Sequence, residues 1–335
     1  MFVTRRGLFA AALACGLALP AAAQEDFPCR AIEGVIQWGA GGSTDRVSRA
    51  VTPLVEPHLG KEIVLVNKPG GSGVIAMQYV LSRPADGCTL LYGAENPQLY
   101  PVLGLADFDY RAMKPVVLLA RGTPVLVARA DAPWNDFRAL VEDVKARPGE
   151  IRMGATGAAG LPAVVLAMIR SVLPDFEVNP VPFDGDGPAL TALQGGHVDF
   201  MPAVYGAARE LIRAGRVKPL AVVGTERLPG LEDVPAITEL YPEFARFLPW
   251  GPFFGVFVRK ETPEPLFARL VDAFGKGVAD PKFRELMDNA GLEVLGLAGA
   301  EAEAFLNRWQ SITAWILWDL GAAKANPADF GIPRP

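Results

Sequence analysis

Val35-Ile36-Gln37-Trp38-Gly39-Ala40-Gly41-Gly42-Ser43-Thr44-Asp45 is an apolar run, then a glycine-rich turn, then the start of a helical pattern. Further along, Ile151-Arg152-Met153-Gly154-Ala155-Thr156-Gly157-Ala158-Ala159-Gly160-Leu161-Pro162 repeats that plan. The chain has 335 residues, more than one compact core usually holds. Two matching beginnings in such a chain read as two lobes of similar design.

Around the first turn, Ile32–Gln37 reads as a strand and Asp45–Leu59 as an amphipathic helix, with Val47, Ala50, Val51, Leu54 and Val55 at helical spacing. Ile63–Val66, the helix Val74–Leu81 and the strand Cys88–Tyr92 follow. A β-α-β-α-β order implies a parallel sheet with helices on both faces. Beyond it come strands at Val116–Leu119 and Val125–Ala128, the helix Phe137–Ala146, and the strand Ile151–Met153. The helix Pro162–Val172, strands at Glu177–Pro182, Val198–Pro202 and Leu220–Val223, and helices at Pro188–Gln194 and Tyr205–Ala214 complete the second unit. Phe253–Val258 is a strand, and helices at Pro265–Val278, Pro281–Ala290 and Ala300–Gly321 have no sheet of their own. They are expected to return and cover the first lobe. The division is therefore residues 24–123 plus 253–335 for the first lobe and 124–252 for the second. Two chain crossings, near 120–125 and 245–255, would act as a hinge.

The first residues read as an export signal. Arg5 and Arg6 form a positive start, Gly7–Leu19 is apolar, and Ala21-Ala22-Ala23 suits a signal peptidase, placing the new terminus at Gln24. Thirteen apolar residues are too few to span a bilayer as a stable helix. Thr4-Arg5-Arg6-Gly7-Leu8-Phe9 resembles a twin-arginine signal, so the export route stays open. Cys15 could be a lipid-attachment cysteine, but Ala12 sits where a lipobox prefers Leu. Two cysteines then remain, Cys29 and Cys88, each just before an apolar run. If those runs are adjacent parallel strands, the cysteines share one end of the sheet and lie within bridging reach. Two buried free thiols are the alternative.

Half of the residues are apolar, 21% are charged, and the net charge is −5. No basic patch is present, which argues against a nucleic-acid partner. A glycine-rich turn that opens a helix presents unpaired backbone N–H groups at the positive end of the helix dipole. In open α/β sheets the ligand lies at the carboxyl ends of the strands. That selects Trp38, Gly39, Ala40, Gly41, Gly42, Ser43, Thr44 and Asp45 in the first turn. In the second turn it selects Thr156, Gly157, Ala158, Ala159 and Gly160. The bland reading is that these glycines only permit tight turns. Asn67-Lys68-Pro69-Gly70-Gly71-Ser72-Gly73 is a third turn, with Asn67 and Gly73 as candidates. Trp38, Tyr92, Phe183 and Tyr205 stand near strand ends, where they either line a pocket or pack the core. His58 and His197 read as structural, and no nucleophile elbow, zinc spacing or nucleotide fingerprint occurs. Asp184 and Asp186 resemble only the start of a calcium loop.

Several segments in register resemble the tripartite tricarboxylate transporter substrate-binding family, the Bug or TctC-type receptors. They are Trp38-Gly39-Ala40-Gly41-Gly42-Ser43-Thr44-Asp45, Val66–Gly73, Pro84-Ala85-Asp86-Gly87-Cys88-Thr89-Leu90 and Asn96-Pro97-Gln98-Leu99-Tyr100. Val181-Pro182-Phe183-Asp184-Gly185, Gly195-Gly196-His197-Val198-Asp199 and Asp233-Val234-Pro235 continue the family's order. The resemblance implies a two-lobed, type II-like periplasmic binding protein fold with the ligand in the interlobe cleft. It adds Asn96, Asp184 and Asp199 to the candidate ligand-binding residues. It implies a small organic acid as ligand, membrane transporter subunits as partners, no cofactor and no catalysis. A monomer is the default for a receptor that closes on its ligand. A receptor that presents its ligand to a membrane sensor and an exported enzyme on the same frame are the rival readings. Gln37 departs from the family's usual Pro, Ala155 and Gly160 from its usual serines, and Asp184 from a common Lys or Arg. With Asp186 nearby, these changes make the second lobe less hospitable to a carboxylate. The expected ligand carries one carboxylate, held by the first lobe, and a neutral, apolar or cationic far end.

Overall fold

The computed structural model describes Phe2 and residues 26–335. Apart from Phe2, the export segment at residues 1–23 and its cleavage site lie outside the described residues. Eleven strands form two sheets. In chain order the strands are β1 (Ile32–Ile36), β2 (Ile63–Asn67), β3 (Thr89–Ala94), β4 (Met113–Gly122), β5 (Pro124–Arg129) and β6 (Arg152–Ala155). The rest are β7 (Asn179–Pro182), β8 (Phe200–Val204), β9 (Val217–Val222), β10 (Phe253–Arg259) and β11 (Leu292–Leu297). One sheet has the order β11-β4-β10-β3-β1-β2, the other β7-β6-β8-β5-β9.

Apolar runs become central strands because helices cover both faces of each sheet. β3 is buried at all six positions. At the edge, β2 buries only Ile63 and leaves Val64 46% exposed. The helix Glu264–Ala279 returns to the first lobe and packs closely on the helix Ser43–Leu59: a Cβ on Gly277 would lie 2.5 Å from Val55 Cγ2. One apolar core runs through both lobes and includes Tyr92, Tyr110, Phe253 and Phe257. Tyr110 stacks on Phe257 at 3.8 Å between ring centroids. A second core, with Val125, Val127, Leu190 and Met201, fills the other face of the second sheet.

The two-lobed α/β frame is the predicted one, with two differences. First, the sheets are mixed rather than mainly parallel. β1 pairs in parallel with β2 and β3, and β6 with β7 and β8, as the β-α-β reading requires. β3, β10, β4 and β11 pair antiparallel, as do β8, β5 and β9. The reason is the crossing itself. The chain leaves the first sheet from β4 straight into β5 and returns into β10, so neighbouring segments run in opposite senses. Second, the C-terminal part does supply a strand. β11 pairs with β4 at the sheet edge, across a register shift between Val294 and Leu297. Glu293 and Gly296 interrupt its apolar run, which hid it from a periodicity reading.

The crossings lie side by side. Gly122 N donates to Pro252 O at 3.0 Å, and Tyr205 N to Thr123 O at 3.0 Å. Trp309 Nε1 donates to Gly251 O at 2.9 Å, tying the return crossing to the C-terminal helix Gly299–Asp319. A disulfide joins Cys29 and Cys88, with Cα atoms 6.0 Å apart. The cysteines precede β1 and β3, which are adjacent and parallel, so both stand at the same sheet end, as expected. Among the described residues, no helix is long and apolar enough to cross a membrane.

Candidate functional site

The first turn leads from β1 into the helix Ser43–Leu59, whose N-cap is Gly42 without a side-chain cap. The first helical amides of such an end have no acceptor within the helix. Asp45 braces the turn. Its carboxylate accepts from Gly41 N at 3.0 Å, Asn67 Nδ2 at 3.0 Å and Arg49 Nε at 2.9 Å. Partial burial pushes its pKa up, but the Arg49, Gly41 and Asn67 hydrogen bonds outweigh that and hold it below the usual range. Asn67 Nδ2 also donates to Trp38 O at 2.9 Å. Gly41 has φ +81°, a left-handed conformation that a side chain would strain.

The second turn leads from β6 into the helix Leu161–Val172, capped by Gly160, again without a side-chain cap. A Cβ at Gly160 would overlap Thr156 Oγ1, so the family's serine does not fit there without a shift. Three first-lobe segments meet second-lobe loops. Asn96 Nδ2 donates to Ala159 O at 2.8 Å, while Asn96 Oδ1 accepts from Gln37 Nε2 at 3.1 Å. Gln37 Oε1 in turn accepts from Ala94 N at 3.0 Å, so the departure at position 37 anchors an interlobe contact. Ser72, held by Tyr100 Oη donating to its carbonyl at 2.9 Å, lies against Gly157. Gly39 N donates to Asp184 O at 2.7 Å, and Ser43 Oγ to Asp186 Oδ2 at 3.3 Å.

Between these contacts lies a cavity of about 30 Å³. The first lobe contributes Trp38, Gly42, Ser43, Thr44 and Glu95 to its wall, and the second Thr156, Leu161 and Asp186. The return crossing adds Pro252 and Phe254. Among the described residues, no lysine, arginine or histidine lines it. Glu95 is only 4% exposed. Burial pushes its carboxyl up to about 8, helped by the charge of Asp186 and opposed by the Leu161 backbone N–H. Burial pushes the Asp186 carboxyl up to about 6, against the Ser43 hydroxyl and the Val204 backbone N–H. A larger cavity, about 570 Å³, lies on the other side of the second turn, between Pro180 and Pro182 of β7 and Leu317 of the C-terminal helix with Leu320 just past its end. The first turn does not reach it. The smaller cavity is the one on which both turns converge.

Of the predicted ligand-binding residues, Trp38, Gly42, Ser43, Thr44 and Thr156 line that cavity. Gly39, Ala40 and Gly41 pack within the first turn and against Asp184 and Gly187, while Asp45 and Asn67 brace it. Gly73 lies under Tyr100 and Gln37. Asn96 and Ala159 bridge the lobes, and Gly160 packs on Thr156. Gly157 and Ala158 face the larger cavity. Phe183 packs on the far core of the second lobe, and Asp184 offers its backbone carbonyl. Asp199 does not line the cavity: it holds Arg152 at 2.9 Å and lies 3.6 Å from Arg129. Tyr205 is buried against Gly291, again outside the cavity wall. His58 and His197 are exposed. Among the described residues, no group of three His, Cys, Asp or Glu side chains is placed to hold a metal.

Sequence reasoning missed Glu95, Leu161, Val204 and Phe254, and had weighed Asp186 as the start of a calcium loop and as a charge that disfavours a second carboxylate, but not as a wall residue. Glu95 was findable: it stands directly after β3, at the carboxyl end of a parallel strand, where ligands bind. Phe254 and Pro252 reach the site only through the return crossing, which no local pattern reveals.

A family model described as "Tripartite tricarboxylate transporter family receptor" matches residues 47–312. Protein BugT of Bordetella pertussis is 32% identical over 273 residues, covering 79% of this chain and 80% of that protein. The structure of the periplasmic binding protein BugD superposes with a TM-score of 0.81 at 30% identity, covering 89% of this chain and all of that one. MatC from Rhodopseudomonas palustris, solved with bound malate, has a TM-score of 0.77 at 27% identity, covering 86% of this chain and 100% of that one.

Proposed function

We propose, from the premise that this chain belongs to the tripartite tricarboxylate transporter receptor family, that it is an extracytoplasmic solute-binding receptor. It captures a small carboxylate-containing solute and delivers it to the membrane subunits of a transporter. The observation that carries this reading is the pair of uncapped, glycine-rich helix starts, one from each sheet, that converge on one buried cavity. Amides at such helix starts hold an anion without a charged side chain. The likeness to MatC, which holds malate, supports a carboxylate.

On this reading, residues 24–123 with 253–335 form one lobe and 124–252 the other. The paired crossings at Gly122–Pro124 and Gly251–Phe253 are the hinge. Opening admits the solute, and closure around it creates the surface that the transporter reads. The chain acts as a monomer in the periplasm after export, and turns over no substrate.

The test is a thermal-shift screen of residues 24–335 against carboxylic acids, amino acids, aromatic acids and amines, with mass spectrometry of any solute released on denaturation. A solute that binds only the folded state raises Tm by mass action. One chemical class that stabilises the protein and is recovered unaltered supports the receptor reading. Chemical conversion of that solute, or no binder in the panel and none released, overturns it.

A further inference from the structure

We propose that the solute carries a protonated nitrogen, seated between Glu95 of the first lobe and Asp186 of the second, and that a second carboxylate is excluded. The proposal deepens the receptor reading and rests on it.

Two carboxyls from opposite lobes face one small cavity to whose wall no described residue brings a basic side chain. Glu95 is only 4% exposed, and the hydrogen bonds that lower its carboxyl come from backbone N–H groups, its own and that of Leu161, not from a cationic side chain. Removing a carboxylate from water without a cation is heavily unfavourable. Two such groups near each other make it worse, since each raises the cost of ionising its neighbour. A cation placed between them removes both penalties together. Trp38 and Phe254 supply aromatic surface in the same wall, which suits an ammonium group.

The same geometry argues against a dicarboxylate. The Glu95 carboxyl faces the Leu161 amide, the first of the second-lobe helix. Asp186, from the second lobe, takes the Ser43 hydroxyl at the start of the first-lobe helix. Each anion-type helix start is thus addressed by an acid of the opposite lobe. A second ligand carboxylate would compete for those donors and meet two like charges. Beyond Ser43, the first-lobe helix still offers further N-terminal amides for a single carboxylate. The ligand that fits is a small zwitterion, with one carboxylate and one ammonium group.

The experiment uses three probes of one length: succinate, 4-aminobutyrate and 1,4-diaminobutane. Each is titrated into residues 24–335 at pH 7.5 by calorimetry and thermal shift. The expected result is stabilisation by an ammonium-bearing probe and none by succinate. Glu95→Gln and, from the opposite lobe, Asp186→Asn should each weaken that binding roughly tenfold or more, as for loss of a charged hydrogen bond. Succinate stabilising the wild type as well as the amines do would overturn the proposal. So would both variants binding the amines like wild type. If every binder found in the wider screen lacks a protonated nitrogen, the cation site falls while the receptor reading stands. If the screen yields no binder at all, the receptor reading itself fails.

Discussion

A side chain on Gly157 would run into Ser72 Oγ: the second-lobe turn and the third first-lobe turn touch with no room between them. Both residues hold left-handed backbone, with φ +79° at Gly157 and +58° at Ser72. On the proposed hinge this contact forms only as the lobes close, so it reports on closure more than on either lobe alone.

Gly157→Ala should therefore weaken ligand binding more than stability. The left-handed backbone accounts for roughly 1–2 kcal/mol of strain. The overlap with Ser72 falls on the closed state, and a tenfold loss of affinity is about 1.4 kcal/mol. Adding Ser72→Gly should recover the overlap part and not the backbone part. Equal affinities for the single and double variants would show that the contact does not limit closure. Calorimetry on both, with melting curves as control, decides it.

Glu95 gives the unliganded protein an unusual pH dependence. Its carboxyl is raised from 4.5 to about 8, so between those values the folded state keeps a proton that the unfolded state has lost. Stability from this group is complete below about pH 4.5 and is lost as pH rises through 8. Asp186 acts the same way from 3.8 to about 6. Tyr100 and Tyr110 also feel the Glu95 charge, and both are raised well above the usual range, mainly by burial, so they stay neutral throughout. Glu95→Gln should match wild type near pH 4.5 and melt higher than wild type at pH 8. A difference that shrinks with rising pH would contradict the burial of an ionising carboxyl.

Asp199→Asn should lower stability and leave ligand affinity within about twofold. The carboxylate takes Arg152 Nε at 3.0 Å and Arg152 N at 2.9 Å, and loss of such bonds costs roughly 1–3 kcal/mol. Partial burial raises its pKa, but the Arg152 hydrogen bonds and charge outweigh this and lower it. Its stabilisation is thus present above about pH 4 and lost as pH falls further, the opposite sense to Glu95. A large loss of affinity at unchanged Tm would instead return Asp199 to the binding site.

The disulfide closes a stretch of 59 residues, for which restriction of the unfolded chain corresponds to about 4 kcal/mol. Cys29→Ala with Cys88→Ala should lower Tm markedly while the folded protein still binds ligand, because the bridge lies at the sheet end away from the cleft. Denaturant melts with and without reductant measure the first part, and calorimetry on the variant the second.

Most elements were legible because burial on both faces demands apolar runs and helix caps leave local marks. The helices Phe137–Ala146 and Pro281–Ala290 match their expected limits. The first turn was legible for the same reason: Gly41 and Gly42 are needed where they stand. β11 was not, since an edge strand with one partner tolerates Glu293 and Gly296. Asp199 was selected on the family resemblance and Tyr205 for standing near a strand end, but a strand end marks the cleft only when the strand points at it.

The sequence by itself determined the two repeated strand–turn–helix beginnings, the cysteine pair and the family resemblance. All of these depend on residues close in the chain or on motifs in register. Tertiary structure alone decided that Asn96 reaches Ala159, that Ser72 fills the space at Gly157, and that Glu95 and Asp186 face one cavity. Those pairs are separated by long stretches of chain and meet only because two crossings bring the lobes together. The charge of the cleft, and with it the chemistry of the ligand, is a property of that meeting.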